Sequence, residues 1–363
     1  MARVVFTVVF ACIFYLAKAG IYDLAVANGI LKQDLPQDLI HFTSLKPLDT
    51  LLTVLVRFFQ PIAEGNDLSL SLFSVFMAGQ LFAVYILTVV EGLRAGNRGK
   101  LISYTTFWGM LWQLMTIGMT TPFYYLVYLY TSPIPDAQSD ALAAAIAVDP
   151  LDASAVNTAV TLGAVIPTVL LGLPSPRLIA PHTQEILLAI WQAFPLWSAV
   201  AQVVVTKFHS VTNTVPKTTR QKAGSEIARL RGIYAYGLTL AASTYFGVLC
   251  FVFWDAKWGP EAALTMLGNV FRPMSPWGLA RAASAEKGSL ALLQWDAYCS
   301  SLAVWAWIAY LAYKRGGFAR LIVDLVKLVA WTPVVGPGGA AVAVVWGRDV
   351  ELARATGGKL KSG

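Results

Sequence analysis

Apolar stretches of bilayer-crossing length dominate this chain, and short polar or proline-rich segments punctuate them. A helix rising 1.5 Å per residue needs about 20 apolar residues to cross a hydrocarbon core roughly 30 Å thick. The pattern predicts apolar helices over residues 4–19, 68–90, 105–130, 160–173, 186–205, 237–254 and 293–313. A last one begins near Phe318 and breaks up at Pro333, Gly336, Pro337, Gly338 and Gly339. Residues 39–62 are amphipathic and carry His41, Lys46, Asp49 and Arg57, so a helix lying at the interface suits them better than a crossing. The expected fold is all-α: a polytopic transmembrane helix bundle of about seven or eight spans, with residues 1–363 forming a single integral membrane domain.

Charge orients the bundle and exposes a conflict. The basic loops at 92–100 and 207–231 both belong on the cytosolic side under the positive-inside rule, which requires an even number of crossings between them. Three apolar segments intervene. Either one is re-entrant, with the short 160–173 segment the first choice, or the rule fails once. Residues 131–157 contain Asp136, Asp140, Asp149 and Asp152 but no Lys or Arg, and are expected as a luminal loop.

Composition supports the membrane reading. The chain is 57% hydrophobic and 13% charged, against about 25% charged for a soluble domain. Mean hydropathy is +0.61. The net charge of +7 sits in the loops and serves orientation, so no nucleic-acid partner is expected. Cys12, Cys250 and Cys299 have no metal-ligand spacing, and His41, His182 and His209 lie in or near loops. No metal centre, cofactor fingerprint, phosphate loop, DDxxD cluster or DxDD motif is present. No internal repeat is visible, which weighs against repeat-built transporters.

Carboxylates inside a membrane are costly and point to function. Asp296 opens the 293–313 span, and helical spacing puts it on one stripe with Cys299, Ser300, Ala303 and Trp307. A general acid in a lined cavity and an interfacial helix cap are equally good readings of it. Glu91 is a second cavity acid or, more simply, an ion-pair partner for Arg94. Asp324 has Lys327 three residues on and reads as another local pair. The deep aromatics Trp108, Trp112, Tyr124 and Trp191 suit a wall that stabilises a cation, although core packing explains each one alone. The amide of Gln192 orients a ligand or joins helices. Trp295 and Ser300 flank Asp296 and complete the candidate substrate-binding set.

Several segments carry a resemblance. They are Glu91-Gly-Leu-Arg94 with Gly96-Asn97, Thr121-Pro-Phe-Tyr-Tyr125, Ile166-Pro167, Leu173-Pro-Ser-Pro176 and Trp191-Gln-Ala-Phe-Pro195. Leu293-Gln-Trp-Asp296 and Gly336-Pro-Gly-Gly339 follow, with Trp346, Arg348 and Asp349. In this order the chain resembles the fungal membrane-bound terpene cyclases of meroterpenoid pathways, of the larger type acting in ascochlorin, ascofuranone and macrophorin biosynthesis. The resemblance implies protonation of an epoxide or alkene on a prenylated aromatic or quinol, followed by carbocation ring closure. It implies no metal or organic cofactor, a setting in the endoplasmic reticulum membrane, Asp296 as the acid and Glu91 as the second candidate. A small-molecule transporter and a non-catalytic membrane scaffold are the rival readings.

Overall fold

The apolar stretches fold as helices, and no strand occurs among the described residues of the computed structural model, which are 1–29, 38–212, 219–277 and 281–359. In chain order these are α1 (Ala2–Ala27, with a π-helical turn at Lys18–Asp23), α2 (Lys46–Glu64), α3 (Leu68–Leu93), α4 (Thr105–Met115), α5 (Ile117–Thr131) and α6 (Ser139–Ile146). Then follow α7 (Pro150–Leu171), α8 (Pro181–Trp191), α9 (Phe194–Thr212), α10 (Thr219–Asp255), α11 (Pro260–Phe271) and α12 (Ala285–Lys359). Side-chain caps fix two of the starts. Asp67 accepts from the Leu70 amide at the head of α3, and Asp149 accepts from the Leu151 amide with Pro150 in the first turn of α7. The second cap corrects an expectation. The acidic stretch 131–157 is not one luminal loop: α6 and the first turns of α7 occupy much of it, and it packs against the basic loop at 92–100, with Arg94 on Ile146 O and Arg98 on Asp152.

Five helices are long and apolar enough to cross a membrane: α1, α3, α7, Ala228–Asp255 of α10 and Ala285–Arg354 of α12. The α8–α9 pair, bent by 66°, makes a sixth if it counts as one span. The amphipathic α2 is not in this set.

Two apolar stretches that suggested crossings fold back as hairpins. The 105–130 stretch breaks at Thr116, whose φ of 69° and ψ of 153° separate α4 from α5. Both ends of this hairpin sit together. The Trp108 indole donates to Leu101 O near the start, and Ser132, just past the end, donates to Asn97 Oδ1 at 2.7 Å. The second hairpin lies within α12, which breaks at Gly316–Gly317 and again at Gly336. Its arms, 318–335 and 337–359, are tied at their open end by Arg320 donating to Glu351 at 2.5 Å. Its turn at Gly336 packs on Gln80, near the middle of α3.

In this arrangement 105–131 folds back on itself, whereas 160–173, the first choice for a re-entrant segment, lies in α7, which is long and apolar enough to cross. Arg98 in the first basic loop pairs with Asp152 at the head of α7, and Ser154, half a turn on, bonds His209 near the end of α9 at 2.6 Å. The starts of both basic loops therefore share one end of the bundle. Between them α7 runs away and α8–α9 returns. Of the second loop, residues 213–218 lie outside the described residues.

Candidate active site

The tip of the α4–α5 hairpin meets α12 at Asp296. This carboxylate is 6% exposed, and its Oδ1 accepts from the Gly118 amide at 2.5 Å, capping α5 from a neighbouring helix. Gly118 permits the approach, since a Cβ there would lie 2.8–3.0 Å from Asp296 atoms. Thr116 occupies a backbone region normally reserved for glycine, a strain that the surrounding contacts must sustain. Of the two readings of Asp296, a cap is therefore present, but for a different helix from its own.

Counter-ions set Asp296 apart. Five carboxylates are buried among the described residues: Asp49, Glu91, Asp296, Asp324 and Asp349. Asp49 has His41 at 3.6 Å, and Asp324 has Arg315, Arg320 and Lys327 within 3.5 Å. Glu91 accepts from Arg94 at 2.7 Å, Arg348 at 3.0 Å and Tyr128 at 3.1 Å. Asp349 accepts from Arg94 at 2.7 Å, Tyr234 at 2.6 Å and Arg348 at 2.9 Å. Asp296 has no cationic partner among the described residues. The local Glu91–Arg94 pair expected from spacing is present, enlarged by Arg348 and Asp349 into a neutral quartet. Asp324 likewise makes the expected pair with Lys327.

The candidate aromatics fall into two connected rows. Trp112 meets Tyr85 at 5.9 Å between ring centroids, Tyr85 meets Phe194 at 5.3 Å and Phe194 meets Trp191 at 5.8 Å. Trp108 meets Tyr124 at 5.3 Å, and that row continues through Tyr125 to Trp307 and Tyr128. Trp112 stands one turn before Thr116 on the same hairpin arm. Its indole Nε1 is buried without a hydrogen-bond partner, as are both amide atoms of Gln192 at the α8–α9 bend. A buried amide left unpaired costs about 1–3 kcal/mol, so such atoms mark where a ligand or water belongs.

Other predicted residues have local tasks. Trp295 donates to Met274 O at 2.9 Å and packs over Gly20 of α1, Ser300 bonds back to Ala297 O, and Trp191 donates to Thr168 at 2.7 Å. Sequence reasoning overlooked Thr116, Gly118 and Tyr85, because no local signal marks a helix break at Thr116.

The CtvD domain model matches residues 2–353. The chain is 31% identical over 315 residues to terpene cyclase ascI of Acremonium egyptiacum, covering 85% of this chain and 79% of that protein. It is 24% identical over 325 residues to terpene cyclase atmA of Aspergillus flavus (85% and 83%). It is 25% identical over 313 residues to terpene cyclase ctvD of Aspergillus terreus (82% and 82%). No solved structure matches. With the family model spanning almost its whole length, the chain belongs to the CtvD domain family, the family of these fungal terpene cyclases.

Proposed function

We propose that this terpene cyclase protonates a terminal epoxide or alkene of a prenylated aromatic or quinol, with Asp296 as the proton donor. The single observation behind this choice is that, among the described residues, Asp296 is the buried carboxylate with no Arg, Lys or His within ion-pair distance. A buried carboxyl with no counter-ion is best suited to hold a proton and deliver it.

In this reading the Asp296 carboxyl transfers its proton to the epoxide oxygen, or to the less substituted alkene carbon. The C–O bond or the π bond breaks, and the positive charge forms on the substituted carbon. A neighbouring double bond or hydroxyl of the substrate then supplies the electron pair that closes the ring. Loss of a proton ends the sequence. The Gly118 amide, which bonds the carboxylate left behind, offsets its charge. Trp112, Tyr85, Phe194 and Trp191 supply the π faces that stabilise the cation, and their bulk keeps water from quenching it. The free Trp112 N–H and Gln192 amide orient the polar end of the substrate. Glu91 acts through its ion pairs, holding α3 to the last arm of α12. Trp108 and Tyr124 extend the aromatic wall. Trp295 and Ser300 keep the Asp296 turn in place.

We place the chain, as one membrane domain, in the endoplasmic reticulum, where a lipid-soluble substrate reaches the bundle laterally. Counting the arms of α12 as separate crossings gives seven spans, or eight with the bent pair, whereas treating 318–359 as re-entrant leaves six. Expression in a fungal host fed with epoxyfarnesyl and farnesyl quinols tests the activity. A cyclised product from either supports the proposal. Uptake or release of the substrate with no product from either means transport, and neither product nor transport means scaffolding.

A further inference from the structure

Lys314 and Arg315 end the first arm of α12, and Arg348 lies on its last arm. All three line a cavity of about 270 Å³, whose apolar wall includes Leu142, Ile146 and Leu311. At 1.5 Å per residue, Arg315 lies about 28 Å along the helix from Asp296, so this is not the cyclisation site.

We propose that the cavity binds the phosphate headgroup of an anionic lipid. Three cationic side chains face one small volume, and no Asp or Glu lines it among the described residues. Arg315 Nη1 makes no hydrogen bond, and Glu351 is 3.7 Å from it. A guanidinium donor left free beside a second guanidinium and an ammonium matches phosphate oxygens. The apolar half of the wall suits the glycerol and upper acyl chain of a lipid better than a free ion. The cavity lining includes the exposed Gln138 and Lys314, at the end of the bundle that carries the start of both basic loops. That is the end expected to face an anionic leaflet.

The two outer cations can be removed without orphaning an acid. Asp324 keeps Arg320 at 3.3 Å and Lys327 at 3.5 Å when Arg315 is lost, and Asp136 keeps Arg3 when Lys314 is lost. The test is thermal unfolding of the full chain in neutral detergent, titrated with phosphatidic acid, phosphatidylcholine or inorganic phosphate. Phosphatidic acid is expected to raise Tm, with the half-effect concentration rising roughly tenfold or more in both Arg315→Gln and Lys314→Gln. Arg315→Lys, which keeps the charge without the guanidinium fork, is expected to weaken the shift less than Arg315→Gln. Equal shifts from phosphatidylcholine, unchanged titrations in both Gln variants, or a shift weakened as much in Arg315→Lys as in Arg315→Gln overturn the proposal. Inorganic phosphate matching phosphatidic acid at equal concentration overturns the lipid assignment.

Discussion

At the scale of single residues, Asp296 and Gln80 perform one structural task with different chemistry. Each caps, from a neighbouring helix, the arm that restarts after a hairpin turn. Asp296 accepts from the Gly118 amide, and Gln80 Oε1 accepts from the Gly338 and Gly339 amides at 2.9 and 3.2 Å. Gln80 also donates to Ala241 O and Val335 O, so its amide is fully used. Gln80→Leu is therefore expected to destabilise the fold by several kcal/mol, at about 1–3 kcal/mol per orphaned group, read as a fall in Tm. A neutral amide suffices for the Gln80 cap, which leaves the choice of an acid at Asp296 to be explained by chemistry. Glu91 should behave differently from Asp296. Glu91→Ala leaves Arg94 and Arg348 sharing Asp349, one buried positive charge in excess, and is expected to cost about 3–5 kcal/mol, whereas Glu91→Gln keeps an acceptor oxygen and retains cyclisation. Loss of product from a folded Glu91→Gln protein would reassign the acid. Asp296 was legible in the sequence because a carboxylate in an apolar run stands out. The partners of Glu91 were not, since Arg348 lies 257 residues away.

At the scale of elements, the two hairpins share a backbone device. Gly336 turns with φ 75° and ψ 170°, and Thr116 turns with nearly the same angles, 69° and 153°. This region is essentially glycine-only, so the threonine carries strain of about 1–3 kcal/mol. Thr116→Gly relieves the strain while enlarging the entropy of the unfolded chain, and a net gain of about 1 kcal/mol is expected in thermal unfolding. An unchanged or lower stability would show that the threonine side chain holds the turn. These two breaks differed in legibility for a physical reason. Pro333 and the Gly336–Gly339 cluster announce the second, whereas the first is imposed on a helix-compatible sequence by contact with Asp296. The long apolar α3 was readable almost to the residue. The start of α7 was not, because hydropathy outweighed the Asp149-Pro150 start signal.

At the scale of the whole molecule, the hairpins account for the excess of apolar stretches over helices able to cross. They place the head of each basic loop at one end of the bundle, so their orientation is testable. With the native cysteines replaced, Lys100→Cys and Lys207→Cys are expected to react with an impermeant thiol reagent from the same side of sealed vesicles, and Lys257→Cys from the other. Labelling of Lys100→Cys and Lys207→Cys from opposite sides would restore an odd number of crossings between them. The same end carries a clasp in which Asp136 binds Lys314 and Arg3, and the Lys314 hydrogen bond holds this carboxyl below its usual range. A lowered folded-state value means that the clasp stabilises the fold above the ordinary carboxylate pKa, roughly 3.9, and is lost as pH falls through the lower value. Amide protection factors near Arg3 and Lys314, corrected for intrinsic exchange, should therefore be constant from pH 7 to 5 and fall only in stronger acid.

The central claim is that Asp296 is both a cap and an acid, and one substitution separates the two roles. Asp296→Asn keeps an acceptor oxygen for the Gly118 amide and removes the proton donor. The measurement is product formation by the purified variant in lipid, alongside its Tm. A Tm near that of the wild type with product reduced by at least roughly a hundredfold, as expected on losing a general acid, is the predicted result. Unchanged product from the Asn variant would contradict the account and leave Asp296 as a cap alone.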